Sequence, residues 1–275
     1  MSKVMRVLFC LLVLAPISCQ KKSHAGPPVA VTVSHRDAPD WQRFADLGYE
    51  VIREYPHDTG AYTQGLLWFQ DHWIEGTGGN GQTSIRRVEK ETGRMVLKKD
   101  LAAEFFGEGL TELNGKLYQL TWKNQTGFVY DAKTFQWQKN FGYTGEGWGL
   151  TTDGQHLIMS NGSDRLRFLD PNTFRVMKEI AVRHKGKAIS QLNELEFIEG
   201  EIFANIWFRD EIVRINPADG NVLGVLDLSG IDAKQTRKEP DFVLNGIAYD
   251  ATTRDLFVTG KCWPKIYQIR LVGKK

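Results

Sequence analysis

The sequence predicts an all-β fold, a five-bladed β-propeller whose ring is closed by an N-terminal strand. Two features point to it. A short phrase recurs five times, and the segments between are strand-like runs punctuated by Gly, Asn, Asp and Pro, with no sustained helical period. The phrases are Gln64-Gly65-Leu66, Glu108-Gly109-Leu110, Trp148-Gly149-Leu150, Glu194-Leu195-Glu196 and Asn245-Gly246-Ile247. From Gly65 through Gly109, Gly149 and Leu195 to Gly246 the steps are 44, 40, 46 and 51 residues, which is propeller spacing. A sandwich with accidental similarity would not hold five phrases in register.

Each unit continues in the same way. A turn and second strand follow the phrase, as in Asn114-Gly115-Lys116-Leu117 and Glu199-Gly200-Glu201-Ile202, and a third strand runs into a turn such as Leu169-Asp170-Pro171-Asn172-Thr173. The fifth unit ends at Leu271 one strand short, and Tyr49 to Tyr55, ahead of the first phrase, can supply the missing strand. The longest step contains Ser229 to Asp241, a polar, charged insertion that could cover one face.

The 275 residues include 8 Trp, 15 Phe and 8 Tyr, an aromatic weight suited to filling wide spaces between sheets. The first of them read as an address. Lys3 and Arg6 precede an apolar run from Val7 to Ile17, too short for a membrane span and of signal-peptide length. Pro16-Ile17-Ser18-Cys19 resembles a bacterial lipobox, departing from it at Pro16 where Leu is usual, so acylation of Cys19 and plain secretion both stand open. The expected organisation is a signal peptide at 1–18, a tether at 19–46 with Cys19 as a lipid anchor, and a propeller at 47–272. The expected location is the periplasm or the membrane surface of a bacterium, and the expected state is a monomer.

Removing residues 1–18 takes away Lys3 and Arg6 and no acidic residue, so a net charge of +2 becomes 0. That argues against nucleic acid as a partner. Cys10 leaves with the signal and Cys19 is removed or acylated, so Cys262 remains alone and no intramolecular disulfide is expected.

In a propeller, equivalent repeat positions lie around one axis, and one mouth of the central channel is the usual site. The residue before each phrase core is Gln64, Glu108, Trp148, Glu194 or Asn245, chemically varied inside a repeating frame. Five residues past Leu117, Ile202 and Leu256 stand Trp122, Trp207 and Lys261. Singly, each has an ordinary structural explanation, since a propeller Trp is most often core. Together they outline a pocket, because core packing has no use for Glu, Lys and Asn at corresponding places.

Seven motifs in order carry a resemblance: Tyr62-Thr63-Gln64-Gly65-Leu66, Phe106-Gly107-Glu108-Gly109-Leu110-Thr111, Gly147-Trp148-Gly149-Leu150, Leu192-Asn193-Glu194-Leu195-Glu196, Ala204-Asn205-Ile206-Trp207, Leu244-Asn245-Gly246-Ile247-Ala248 and Thr259-Gly260-Lys261-Cys262-Trp263-Pro264-Lys265. They resemble the plant and bacterial glutaminyl-peptide cyclotransferases, five-bladed propellers unrelated in fold to the zinc-dependent animal enzymes of the same activity. The resemblance implies an enzyme that turns the N-terminal glutamine of peptides or proteins into pyroglutamate and releases ammonia. It places the active site on Gln64, Phe106, Glu108, Trp122, Trp148, Asn193, Trp207 and Lys261, with Tyr62 where the family usually has Phe. The repeat count favours Glu194 and the resemblance Asn193; strand alternation would send the two to opposite faces, and the family's choice is followed.

The implied chemistry needs no cofactor, although a structural calcium ion on backbone carbonyls is compatible with the resemblance and would leave no side-chain signature. Glu108 is the expected proton shuttle, and Lys261 and Asn193 the expected donors to the developing oxyanion. Lys261 could equally act by shifting the pKa of Glu108. Phe106, Trp122, Trp148 and Trp207 would wall the side chain in, and Gln64 would bind substrate amide or backbone. Two other classes compete. A metal-dependent propeller hydrolase or lactonase needs carboxylate or His ligands converging on the channel, and none of the 6 His falls among these positions. A non-enzymatic propeller that binds N-terminal peptides would keep the aromatic box but has no need of Glu108.

Overall fold

Strands here are short and polar-punctuated because their turns are built from residues that accept left-handed backbone. Asn114-Gly115 (φ 54° and 77°) and Glu199-Gly200 (φ 49° and 90°) are two-residue hairpin turns, whose twist matches that of the strands they join. The computed structural model describes residues 38–232 and 239–274. Among these there is no α-helix, only a 3-10 turn at Asp40–Arg43 and strands throughout. The signal-peptide, lipid-anchor and most tether expectations lie outside the described residues.

The chain enters through β1 (Asp46–Pro56) and then lays down antiparallel groups of four. The first is β2 (Thr63–Phe69), β3 (His72–Thr77), β4 (Ser84–Glu89) and β5 (Met95–Asp100). The second is β6 (Gly107–Leu113), β7 (Lys116–Thr121), β8 (Thr126–Asp131) and β9 (Trp137–Gly142). The third is β10 (Leu150–Thr152), β11 (Leu157–Met159), β12 (Arg165–Leu169) and β13 (Val176–Ala181), followed by a small hairpin of β14 (Arg183–His184) and β15 (Lys187–Ala188).

The remaining strands share one eight-stranded sheet. In it β16 (Leu192–Ile198), β17 (Glu201–Ile206), β18 (Glu211–Ile215) and β19 (Val222–Asp227) are joined through β1 to β20 (Leu244–Asp250), β21 (Asp255–Gly260) and β22 (Lys265–Gly273). β1 pairs antiparallel with β22 from Leu47↔Gly273 to Pro56↔Lys265, and touches β19 only at Asp46↔Val225 and Leu47↔Leu226.

Apolar clusters lie between consecutive groups. Leu67, Ile74 and Ile85 meet Leu110, Leu117 and Phe128, and Leu113, Tyr118 and Phe141 meet Leu150 and Leu157. A further cluster brings Tyr55 of β1, with Phe257 and Ile266 of the last strands, onto Leu66, Trp73 and Val88 of the first group. Burial at about 25 cal/mol per Å² makes these layers the main driving force for folding.

The phrase glycines sit where innermost strands of neighbouring groups nearly touch. A Cβ on Gly109 would lie 2.4 Å from Leu150 N, and one on Gly149 would lie 1.9 Å from Asn193 O. No side chain fits in either place.

The innermost strands also share a bulge. Pairing slips between Thr63 and Gly65, Gly107 and Leu110, Leu192 and Leu195, and Leu244 and Ile247. In the third group Ser160 faces two residues, accepting from Trp148 N and donating to Gly149 O. This corrects the fourth phrase. Register places Asn193, not Glu194, with Gln64 and Glu108, and Glu194 stands at the glycine position. Alternation does not decide between them, because a bulge interrupts it. The Glu194 carboxylate instead reaches to accept from Leu66 N (3.3 Å) and Ile247 N (2.9 Å).

The expected tether to residue 46 is also too long. Trp41 packs edge-on against Phe203 at 5.5 Å, and the Arg214 guanidinium lies 4.8 Å from the Trp41 ring centre. Arg214 binds both oxygens of Glu201 (2.8 and 3.0 Å) and donates to Phe44 O (2.7 Å). Composition alone hid this, because two aromatic rings among polar residues do not make a periodic face.

Candidate active site

The bulges turn side chains that would otherwise alternate toward a common opening. There, Tyr62, Gln64, Phe106, Glu108, Trp122, Trp148, Asn193, Trp207, Asp241 and Lys261 line one pocket of about 280 Å³. The structure therefore brings together every catalytic and substrate-binding candidate read from the sequence. Asp241 joins them, from the far end of the polar insertion.

The bulged position supplies Gln64, Glu108, Trp148 and Asn193. The ends of the second strands supply Trp122, Trp207 and Lys261. Extending the five-residue count to Trp73 and Leu157 lands on Gly78 and Gly162, at the two remaining repeat positions. They are empty for a reason. A Cβ on Gly78 would meet the Phe106 ring at 2.4 Å, and one on Gly162 the Trp148 indole at 2.7 Å. Those rings lie where a side chain would otherwise stand.

The two charged candidates are buried. Glu108 is 4 % exposed and Lys261 3 %. Burial pushes the Glu108 carboxyl well above the ordinary carboxylate range, with Glu146 and Asp241 adding to the effect and Lys261 and Gln64 opposing it. Burial lowers the Lys261 ammonium, against the opposing pull of Glu108 and Asp241. A carboxyl and an amine pushed toward neutrality in one cleft is an arrangement common at functional sites.

A polar chain orients the carboxyl. Asn245 Nδ2 donates to Gln64 Oε1 (3.3 Å) and Gln64 Nε2 donates to Glu108 Oε1 (3.0 Å). Gln64, expected to hold substrate, thus has its amide N–H on Glu108. Asn193, 3 % exposed, leaves its Oδ1 without a hydrogen-bond partner. On the opposite side Lys261 Nζ donates to Tyr62 Oη (3.3 Å), and Tyr62 donates to Asp241. The hydroxyl that distinguishes Tyr62 from Phe is therefore placed between a cation and a carboxylate.

The tryptophans are held by carboxylates the sequence did not single out. Glu146 Oε2 accepts from both Trp122 Nε1 (2.8 Å) and Trp148 Nε1 (2.9 Å), and Asp241 Oδ1 accepts from Trp207 Nε1 (3.0 Å). The rings then contact one another, Phe106 with Trp122 at 5.7 Å and Trp148 with Trp207 at 5.4 Å. Glu146→Ala removes the one oxygen that both indole N–H groups share. The expected result is a roughly tenfold rise in KM for a Gln-initiated peptide, with kcat little changed. Steady-state kinetics check it, and an unchanged KM would show that the clamp does not position the rings.

Fold and pocket define the class: an all-β, propeller-like protein with a buried acid and amine in an aromatic-walled cleft. The chain belongs to the glutamine cyclotransferase family, whose model matches residues 25–271. It is 44% identical over 227 residues to a glutaminyl-peptide cyclotransferase of Arabidopsis thaliana, covering 81% of this chain and 71% of that protein. The crystal structure of Myxococcus xanthus glutaminyl cyclase superposes with a TM-score of 0.80 at 36% identity, covering 84% of this chain and 99% of the other.

Proposed function

We propose that this protein is a glutaminyl-peptide cyclotransferase in which Glu108 moves the protons. What supports the reading is the burial of Glu108 and Lys261 together against one aromatic-walled pocket. The α-amine of the peptide forms a bond to Cδ of its own glutamine side chain, the bond from Cδ to the amide nitrogen breaks, and ammonia leaves. Glu108, whose carboxyl is pushed toward its protonated form by burial, gives its proton to the departing nitrogen and takes one from the attacking amine, so the carboxyl ends as it began.

Lys261 and the amide of Asn193 stabilise charge on the amide oxygen. The tryptophan walls exclude water and hold the glutamine side chain folded back on its amine, which keeps an already intramolecular attack near its reactive geometry. Gln64 fixes the rotamer of Glu108, and Tyr62 links Lys261 to Asp241.

The scaffold for this is a five-bladed propeller in which β1 completes the fifth blade. Its support is the β1–β22 pairing and the apolar cluster joining the last strands to the first. Protein groups alone carry the protons and the charge in this reading. Export by the N-terminal segment, with or without an acyl chain on Cys19, is part of the same reading.

The test is release of ammonia from a Gln-initiated peptide, with loss of one ammonia mass from the peptide, in the presence and absence of a chelator. Equal rates with and without chelator are expected. A peptide bound but unchanged in mass would replace the enzyme with a binding protein, and loss of activity in chelator would put a metal into the mechanism.

A further inference from the structure

The pocket is at the small end of ligand sites, about 280 Å³, and takes the terminal glutamine; the rest of a peptide must leave through the mouth. We propose that Phe208 forms a second subsite there. It would receive the side chain of the residue after the glutamine and favour apolar, above all aromatic, residues. This deepens the cyclotransferase reading and rests on it.

Phe208 follows Trp207 at the end of the pocket wall. Its ring lies on the Trp207 indole, with centres 4.4 Å apart and planes 32° apart, while Trp207 meets Trp148 edge-on inside the pocket. The aromatic surface thus runs without a break from the pocket lining to Phe208, which itself lies outside the lining. At 58% exposed, Phe208 keeps most of its ring in water beside that opening. Scattered exposed apolar residues need no explanation, but one continuous with a ligand pocket extends a binding surface.

Its backbone sharpens the point. Phe208 has φ +65°, left-handed backbone that a bulky residue rarely adopts. Three of the five groups share it, since the residues that follow Gly78 and Lys261 at the same repeat position, Gly79 and Cys262, have φ +109° and +59°. Glycine meets the requirement without strain in the first group. Phe135 and Phe174 take the same backbone, but Phe135 is buried and Phe174 stacks on Phe141, whereas Phe208 combines it with a ring left largely in water beside the pocket.

Rates of ammonia release from Gln-Phe-amide and Gln-Gly-amide test the proposal in the wild type, Phe208→Ala and Phe208→Gly. The wild type should favour Gln-Phe-amide by about tenfold in kcat/KM, chiefly through KM, the scale of one aromatic contact. Both variants should move that ratio toward one, and Phe208→Gly should melt no lower than the wild type because it relieves the left-handed backbone. A wild-type ratio near one, or a ratio unchanged in both variants, overturns the subsite alone. No ammonia from either peptide with the wild type overturns the cyclotransferase reading and the subsite with it.

Discussion

Glu108→Gln should lower kcat for ammonia release by about 10²–10⁴-fold, because the amide keeps the shape and the Gln64 contact but cannot carry protons. Stopped-time ammonia assays at saturating peptide measure it, and near wild-type turnover would remove Glu108 from the reaction. The same substitution changes how stability depends on pH. The folded carboxyl has a raised pKa, so between the unfolded value near 4.5 and the folded value the native state binds the extra proton. Stability from this group is therefore complete below about 4.5 and is lost as pH rises through the folded pKa. Thermal melts of the variant should fall less steeply toward alkaline pH than those of the wild type.

The second large effect is on folding. Gly149→Ala would set a Cβ 1.9 Å from Asn193 O, 2.8 Å from Asn193 C and 2.9 Å from Glu194 Cα, all of them main-chain atoms of the next innermost strand. No rotamer change relieves a clash with backbone, so two strands must separate. A loss of at least about 3 kcal/mol is expected, or a fall of roughly 10 °C in the melting temperature for a domain of this size. Gly115→Ala is the control. It has φ +77° and nothing within 4 Å of the added Cβ, so only backbone strain applies, about 1–2 kcal/mol. Equal melting temperatures for the two variants would show that the strand contact is looser than drawn.

What the sequence revealed depended on how local the cause was. Four of the five phrases carry a glycine, and they were readable because Gly65, Gly109 and Gly149 answer the same close contact with the main chain of the next innermost strand. Trp122, Trp207 and Lys261 were readable by counting along strands of equal length. Gly78 and Gly162 were within reach of the same count, had it been carried to Trp73 and Leu157, but a missing side chain attracts no notice in a search for chemistry.

Asn193 and Glu194 could not be separated by alternation, since the bulge that orders them is set by hydrogen bonds between strands. Asp241 had no motif at all. It matters because of partners at Trp207 and Tyr62, 34 and 179 residues away in the chain. Glu146 stands next to a recognised phrase, yet its dual role with Trp122 and Trp148 exists only once two strand ends meet.

Glu194 ties the strands that carry the pocket to one another. Fully buried, its carboxyl spans from one innermost strand to the amides of two others just past the bulge. Those two strands also carry Gln64 and Asn245, the pair that orients Glu108. A side chain outside the pocket lining therefore braces the backbone on which the polar chain depends, and shortening it would loosen three strands at once.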